Sequence, residues 1–362
     1  MKILAIETSC DDTCAAVLDD DKVLSNVISS QTDLHSKWGG VVPDIAKRAH
    51  LERIEAVIIE ALIRSNPSVL RTSPLEKGRS FNEEFLKILM KKIDVIGVTL
   101  GPGLAIALGI GVNKAKELAI KYNKKLVAVN HIEGHIWANL LKNSKGKPER
   151  KVGFPALVLT VSGGHTKLVL VKEFGKYEVV GETLDDAAGE ALDKAAKMLG
   201  LGYPGGPILE RLAKTGDINF LDLPRPLADK KILDYSFSGL KTSFYYKIKD
   251  WPKEKIYQNL NNLAATFQNA VFDTLLRKYK LAIEKYQPKI LMASGGVLSN
   301  LELRKRLRKM AKGMNIPLLM PVHKNLNTDN AAMIGIVAYQ KALRGEFVED
   351  IDKLDRNPRM EM

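Results

Sequence analysis

The feature that most constrains the fold of this 362-residue chain is a repeated order of strand, turn and helix patterns. Apolar segments of strand length at 2–8, 13–18 and 23–29 are separated by polar turns, which predicts a three-stranded meander. The same succession returns between residues 154 and 183. The chain is therefore predicted to contain two copies of one α/β plan.

Two further units recur in the same order. A strand, the turn Gly101-Pro102-Gly103 and a helix follow the first meander, while a strand, the turn Ser294-Gly295-Gly296 and a helix at 301–312 follow the second. A matching pair of short apolar strands, 126–129 and 316–320, ends each copy. Three units in one order argue against a chance match of short β patterns.

These repeats, together with the length, predict two lobes with a cleft between them. We expect an N-terminal lobe at 1–152, a C-terminal lobe at 153–345 and a tail at 346–362. Loop signals such as Ser73-Pro74 indicate a surface insertion at about 65–92, with a short helix near its end.

The overall charge of +13 suggests a polyanionic partner such as nucleic acid, although solvated helix faces explain the same composition. The densest basic cluster begins at Arg304. No apolar run reaches membrane-spanning length, and the acidic residues near the start are unlike a signal peptide. With only Cys10 and Cys14, we expect a reduced, cytoplasmic protein without a membrane partner.

The pair His131 and His135 directly follows the strand 126–129 and opens a helical pattern. Residues four apart share a helix face, so both imidazoles can bind one metal ion. The alternative is a hydrogen-bonded, inert pair. Asp329 follows its strand as His131 follows its own, which predicts a third ligand facing the pair across the cleft. A helix N-cap explains Asp329 equally well.

An ordered set of motifs runs through the chain. Its members are Ile6–Asp11, His131–His135, Ser162–Thr166, Asp185–Lys194, Tyr203–Pro207, Phe237–Thr242, Gly295–Asn300 and Thr328–Asn330. With these motifs the chain resembles the tRNA N6-adenosine threonylcarbamoyltransferase (TsaD) family, within the actin-like, sugar kinase and Hsp70 superfamily, over about residues 1–340. The segment 235–242 is similar to the bacterial or organellar branch.

The resemblance implies two duplicated actin-like, ribonuclease H-like lobes and assigns the site residues. The metal ligands would be His131, His135 and Asp329, holding one divalent ion, Fe(II) or else Zn(II). The donor-binding positions would be Thr160, Val161, Ser162, Gly163, Gly164, Asp193, Gly206 and Asn300. Glu7, Asp11 and His165 would lie at the cleft floor as candidate catalytic groups.

The implied reaction moves a threonylcarbamoyl group from threonylcarbamoyl-AMP to N6 of adenosine 37, in tRNAs that read codons beginning with A. Implied partners are tRNA, a TsaB-type paralogue and a TsaE-type ATPase, or a second copy of the chain if it is of organellar type. Three alternatives stay open: a metalloprotease, a kinase of the same superfamily and a non-catalytic scaffold. Against proteolysis, Glu133 lies two residues after the first His and faces away from the pair.

Several of these positions also have ordinary structural explanations. Asp193 suits a helix-surface carboxylate, Gly206 a plain turn, and Asn300 a helix cap. For tRNA we predict that a stripe at i, i+4 and i+8 on the helix 301–312, formed by Arg304, Arg308 and Lys312, contacts phosphates. The alternative is a solvated helix face, with the tRNA bound at 142–151 or on a partner.

Overall fold

The computed structural model describes residues 1–66, 83–228 and 231–362, and it divides into two compact units. Each unit has one five-stranded mixed sheet. The first unit comprises 1–35, 41–151 and 329–362, and the second comprises 36–40 and 152–328.

The strands and helices of the first unit follow the predicted order closely. Their bounds are β1 Lys2–Glu7, β2 Asp12–Asp19, β3 Lys22–Ser30, α1 Thr32–Ser36, α2 Pro43–Arg64, α3 Glu83–Met90, β4 Val95–Gly101, α4 Ala105–Lys121, β5 Lys125–Asn130 and α5 His131–Trp137. The strand order is β3-β2-β1-β4-β5, with β1 antiparallel to β2 and parallel to β4.

The second unit repeats this plan. Its elements are β6 Ala156–Val161, β7 Thr166–Glu173, β8 Lys176–Glu182, α6 Ala188–Met198, α7 Gly205–Ala213, α8 Ser238–Ile248, α9 Lys253–Gln258, α10 Leu260–Tyr286, β9 Ile290–Ser294, α11 Leu301–Gly313, β10 Leu318–Leu319 and, after it, α12 Ala331–Leu343. The order β8-β7-β6-β9-β10 matches the first sheet strand for strand, so the duplication is confirmed.

The division of the chain differs from our expectation at two points. Residues 36–40 belong to the second unit, and 329–362 belongs to the first unit rather than forming the end of the second lobe and a separate tail. The physical reason for the placement of 329–362 is the packing of α12. A Cβ on Gly97 of β4 would lie 2.6 Å from Ala338 Cβ, and one on Gly335 would lie 2.3 Å from a methyl of Leu18. Only these small residues let α12 approach the first sheet so closely.

The predicted insertion at 65–92 is only partly within the described residues. The helix that we predicted near its end is α3, whereas the loop signals at 67–82 lie outside the described part. Within 1–66, 83–228 and 231–362, no helix is both long enough and apolar enough to cross a bilayer.

Candidate metal centre and donor pocket

The first site is built at the carboxyl edge of the first sheet, where β5 passes directly into α5. Asn130 caps this two-turn helix: its Oδ1 accepts the N–H groups of Ile132 at 2.8 Å and Glu133 at 3.2 Å. The cap fixes where the helix begins, so His131 and His135 fall on one helix face, as predicted. Their rings lie 4.7 Å apart at 84°.

Asp329 completes a group that has the composition of a metal site. Its Oδ1 lies 3.5 Å from His131 Nε2 and 3.2 Å from His135 Nε2, and the three ligand atoms lie within 4.8 Å of one another. The predicted triad therefore exists. Our expectation that Asp329 faces the pair from the opposite lobe was wrong, because α12 brings it into the unit that carries the histidines.

The charges and hydrogen bonds around the triad fit a cation. His135 is fully buried, and its Nδ1 has no hydrogen-bond partner among the described residues, while the nearest group to its Nε2 is the Asp329 carboxylate at 3.2 Å. A buried imidazole nitrogen without a well-formed hydrogen bond is costly unless a ligand satisfies it. Burial alone would lower the pKa of His131, but Asp329 and Glu7 raise it to about 9. Two carboxylates therefore surround one imidazole, and this surplus of negative charge is one that a divalent ion would offset.

Glu7 is the carboxylate that orients the His131 ring. It is 1% exposed, and its Oε2 accepts from His131 Nδ1 at 3.0 Å and from Thr99 Oγ1 at 2.6 Å. Its Oε1 accepts the Ser9 N–H, and Ser9 Oγ lies 3.1 Å from the same His131 nitrogen. In the neutral imidazole that binds a metal, a carboxylate on Nδ1–H leaves Nε2 as the unprotonated nitrogen, as in carboxylate–histidine–metal arrangements.

Sequence reasoning missed Thr99 and Ser9. A signal for Thr99 existed, because parallel strands end at the same sheet edge, and β1 and β4 pair in parallel with Ile6 opposite Val98. Glu7 at the end of β1 and Thr99 near the end of β4 therefore meet at this edge.

Asp11 lies on the turn between β1 and β2. Burial, and then the charge of Asp329, raise the pKa of Asp11 above its usual value. The turn is held by His50 of α2, whose Nε2 lies 3.0 Å from the Cys10 carbonyl and whose Nδ1 lies 2.8 Å from Thr13 Oγ1. Asp11 is thus a constrained carboxylate close enough to the metal-ligand group to feel its charge.

The second site is a cavity of about 240 Å³ in the second unit, at the carboxyl edge of its sheet. Gly163, Gly206 and Gly296 line it, and a Cβ on any of the three would meet open space. The backbone is therefore accessible to a ligand at three points, whereas a side chain would project into the cavity. The other lining residues are Gly189, Leu192, Asp193, Pro204, Pro207, Glu210, Val297, Ser299, Asn300 and Thr328.

Of the predicted donor loop 160–164, only Gly163 lines the cavity. Thr160 and Val161 are fully buried in β6, and Thr160 Oγ1 lies 3.5 Å from Ser294 Oγ. Ser162 is nearly buried and accepts, through Oγ, the N–H of His165. A Cβ on Gly164, like one on Gly163, would meet open space.

Asp193 and Asn300 line the cavity and also have the structural roles that we left open. Asp193 Oδ1 accepts the N–H groups of Gly205 at 2.7 Å and Gly206 at 3.0 Å, which fixes the start of α7. Asn300 Oδ1 caps α11, and its Nδ2 donates to Gln268 Oε1 at 2.7 Å. These two side chains therefore shape the pocket wall.

The remaining predicted residues lie elsewhere. His165 is on the β6–β7 turn of the second unit, whereas Glu7 and Asp11 belong to the first unit. On α11, Arg304 donates to the carbonyls of Leu298 at 3.3 Å and Pro321 at 2.9 Å, so it braces the helix rather than presenting a solvated charge.

Comparisons with known proteins give one consistent result. A profile of the family described as TsaD, tRNA N6-adenosine threonylcarbamoyltransferase, matches residues 22–70 and 83–336. A protein of that name from Thermodesulfovibrio yellowstonii is 46% identical over 350 residues, covering 96% of each chain. Another from Kosmotoga olearia is 45% identical over 347 residues, 96% of this chain and 95% of that one. The structure of T. kodakarensis HypF matches with a TM-score of 0.55 and 12% identity, over 97% of this chain and 48% of that one, which is a likeness of fold alone.

Proposed function

Because this chain belongs to the tRNA N6-adenosine threonylcarbamoyltransferase family, whose actin-like α/β fold it has, we propose that it forms threonylcarbamoyladenosine in tRNA. The donor is threonylcarbamoyl-AMP, and the acceptor is N6 of adenosine 37. The observation that carries the proposal is the pairing, in one chain of this family, of a His131–His135–Asp329 group with a glycine-lined pocket.

The reaction needs positioning more than nucleophilic activation. N6 of adenosine attacks the carbonyl carbon of the mixed anhydride, a C–N bond forms, the C–O bond to AMP breaks, and N6 loses a proton. AMP is already a good leaving group. The protein must therefore hold the donor, exclude water and stabilise the developing oxyanion. The open glycines at 163, 206 and 296 suit close backbone approach to a phosphate or carbonyl oxygen.

We assign one divalent metal ion to His131, His135 and Asp329, with Fe(II) favoured over Zn(II) because two His and one carboxylate form the facial triad of non-haem iron sites. When bound, such an ion polarises an oxygen and orients the group that carries it. Glu7 acts as a positioning residue for His131. Elemental analysis of purified protein, and of a variant with His131→Ala and His135→Ala, tests the assignment; full metal content in the double variant refutes it.

Two groups are candidates for receiving the N6 proton. Asp11 is a half-buried carboxylate with a raised pKa, which brings it nearer the operating pH. His165, on the turn beside Gly163 and Gly164, is the second. The pH profile of Asp11→Asn against that of His165→Gln distinguishes them, because removal of the true acceptor abolishes the acidic limb of the profile.

The metalloprotease alternative finds no support in the placement of Glu133. That carboxylate is 3% exposed and pairs with Lys341, with Oε2 3.3 Å from Nζ. A general base must reach the metal-bound water, and a buried glutamate held by a lysine of α12 is not available for that role.

The exposed cations of α11 are our proposed contact for tRNA phosphates. Since Arg304 is held by two carbonyls, we revise the stripe to the exposed Lys305, Arg308, Lys309 and Lys312. The alternative region 142–151 is a weaker candidate for phosphate binding, because its Lys142 already forms an ion pair with Asp21 at 2.7 Å. Filter binding at two salt concentrations tests this. Reversing Arg308 and Lys312 to Glu should weaken binding and flatten its salt dependence; an unchanged slope refutes it.

Partner proteins follow from the family, and we propose a TsaB-type paralogue and a TsaE-type ATPase, or a second copy of this chain. Light scattering of the chain alone and with each candidate separates these assemblies. For the reaction itself, the decisive test is mass spectrometry of tRNA nucleosides after incubation with threonylcarbamoyl-AMP. Absence of threonylcarbamoyladenosine, with every required partner present, would refute the proposed function.

A further inference from the structure

The tail (346–362) has no role in the proposed function, yet it is tightly bound to the first unit. Val348 N donates to Leu126 O at 2.8 Å, and Lys116 Nζ donates to the carbonyls of Asp352 at 2.7 Å and Leu354 at 2.9 Å. Val348, Ile351 and Leu354 also pack on the core of that unit. The tail is therefore an ordered part of the first unit that packs along β5 and α4.

Its last residues reach the elements that carry the metal ligands. We propose that residues 357–361 are a positioning element of the metal centre, acting through two separate routes. This inference rests on the proposed metal assignment and adds residues that neither the triad nor Glu7 includes.

The first route runs through Asn130. Its Nδ2 donates to the Glu361 carbonyl at 3.2 Å, while its Oδ1 caps α5. An Asn amide can be rotated so that nitrogen and oxygen exchange places. A carbonyl accepts only from the nitrogen, so Glu361 selects the orientation that presents Oδ1 to the helix. The first turn of α5, which starts with His131, is thereby fixed from the tail side.

The second route runs through the turn Gly101-Pro102-Gly103. Asn357 N donates to Leu100 O at 2.8 Å, and Gly103 N donates to Pro358 O at 3.2 Å. A Cβ on Gly101 would lie 1.7 Å from Asn357 O, so the tail backbone rests directly on this glycine.

The opposite side of this turn touches the group that holds His131. A Cβ on Gly103 would lie 2.5 Å from Ser9 O, and Leu104 N donates to that same carbonyl at 2.7 Å. Ser9 Oγ in turn lies 3.1 Å from His131 Nδ1. The turn is thus clamped between the tail and Ser9, and movement of the tail would loosen the contact that orients the ligand ring.

The test is a comparison of metal affinities in the full chain and in a chain that ends after Arg356. This truncation keeps the apolar anchors of the tail but removes Asn357, Pro358 and Glu361. Affinity is measured with Zn(II) against a chromophoric chelator, and the Co(II) derivative reports ligand geometry by its visible spectrum. We expect the truncated chain to bind metal on the order of 10–100-fold more weakly, as loss of outer-shell partners does, with an altered Co(II) spectrum.

Two substitutions in the full chain separate positioning from general destabilisation. Gly101→Ala should displace the tail, and Asn130→Ser keeps a good helix cap but cannot reach Glu361. Each should weaken metal binding in the full chain and add little in the truncated chain, where its partner is absent. Gly313→Ala is the matched control, since its Cβ meets open space in the other unit.

Melting temperatures in excess chelator show whether each variant folds. Unchanged metal affinity on truncation, or equal effects of Gly101→Ala and Asn130→Ser with and without the tail, would overturn the inference. The proposed metal assignment fails separately, if the double His→Ala variant keeps its metal.

Discussion

Replacing Glu7 by Gln tests how the metal centre is supported, because it keeps the shape of the side chain and removes its charge. Glu7 accepts three hydrogen bonds, from His131 and Thr99 on one oxygen and from Ser9 N–H on the other. A Gln side chain has one acceptor oxygen and one NH₂ group. One side of the network must therefore face a donor instead of an acceptor.

The size of the effect depends on which way the amide turns. If its oxygen faces His131, the imidazole keeps its tautomer and loses a charged acceptor, worth about 1.5–3 kcal/mol. Since about 1.4 kcal/mol is a factor of ten, metal binding should weaken roughly 10- to 100-fold. If the NH₂ group faces His131, Nδ1 must become the acceptor and Nε2 carries the proton, which blocks the ligand atom. The measured loss of metal affinity would then be about 100-fold or more.

The assay is competition for Zn(II) with a chromophoric chelator, and the chain offers a matched control. Glu133→Gln makes the same chemical change at a second buried carboxylate. Glu133 lies on α5, whereas Glu7 lies on β1, and it pairs with Lys341 rather than with a histidine. Its affinity should stay close to that of the parent. Parent-like affinity in Glu7→Gln, in a protein that loses its metal on substitution of the two histidines, would refute the positioning role of Glu7.

Three further predictions concern the pocket, a partly exposed carboxylate that contacts two lysines, and a helix contact. Gly163→Val should place its side chain in the cavity and reduce affinity for a donor analogue by more than about tenfold without lowering the melting temperature, measured by calorimetry. Burial alone would raise the pKa of Asp186, but Lys194 and Lys241 hold that pKa below its usual value. The stability that the Asp186 carboxylate gives the folded protein is therefore complete above the usual pKa and is lost as the pH falls through the lowered one. Asp186→Asn should therefore melt at a lower temperature than the parent at pH 7, with the difference shrinking below about pH 4 in a pH series. Gly335→Val should destabilise the protein by about 1–3 kcal/mol in denaturant melts, since a methyl of Leu18 already occupies the space.

The fold was predictable because its signals are local and repeated. Alternating apolar residues with turns between them predicted the first meander at 2–8, 13–18 and 23–29, and the strands lie at Lys2–Glu7, Asp12–Asp19 and Lys22–Ser30. The strand–glycine turn–helix units were equally legible. These patterns depend on neighbours in the sequence, so each could be recognised without knowing what it packs against.

The location of Asp329 was not predictable in the same way. Its chemistry and its position after a strand predicted a metal ligand, and its carboxylate does lie beside the two histidines, while the ligand role itself stays a prediction. Our assignment of Asp329 to the second lobe was wrong, because it followed from the order of the chain alone. The deciding contacts are those of Gly97 with Ala338 and of Gly335 with Leu18, which join positions far apart in the sequence. A glycine in a strand indicates that another part of the chain can approach closely, but the sequence does not show which helix does so.

The asparagines at helix starts show most directly where sequence reasoning stops. Asn130 and Asn300 each cap a helix in the same manner, with Oδ1 on the N–H groups two and three residues later. Their Nδ2 groups then reach different partners, the Glu361 carbonyl in the first unit and Gln268 in the second. The cap follows from local sequence, but the second partner comes from a segment 231 residues away in one case and 32 in the other. Two identical local patterns therefore connect one asparagine to the helix of His131 and the tail, and the other, which itself lines the donor pocket, to α10.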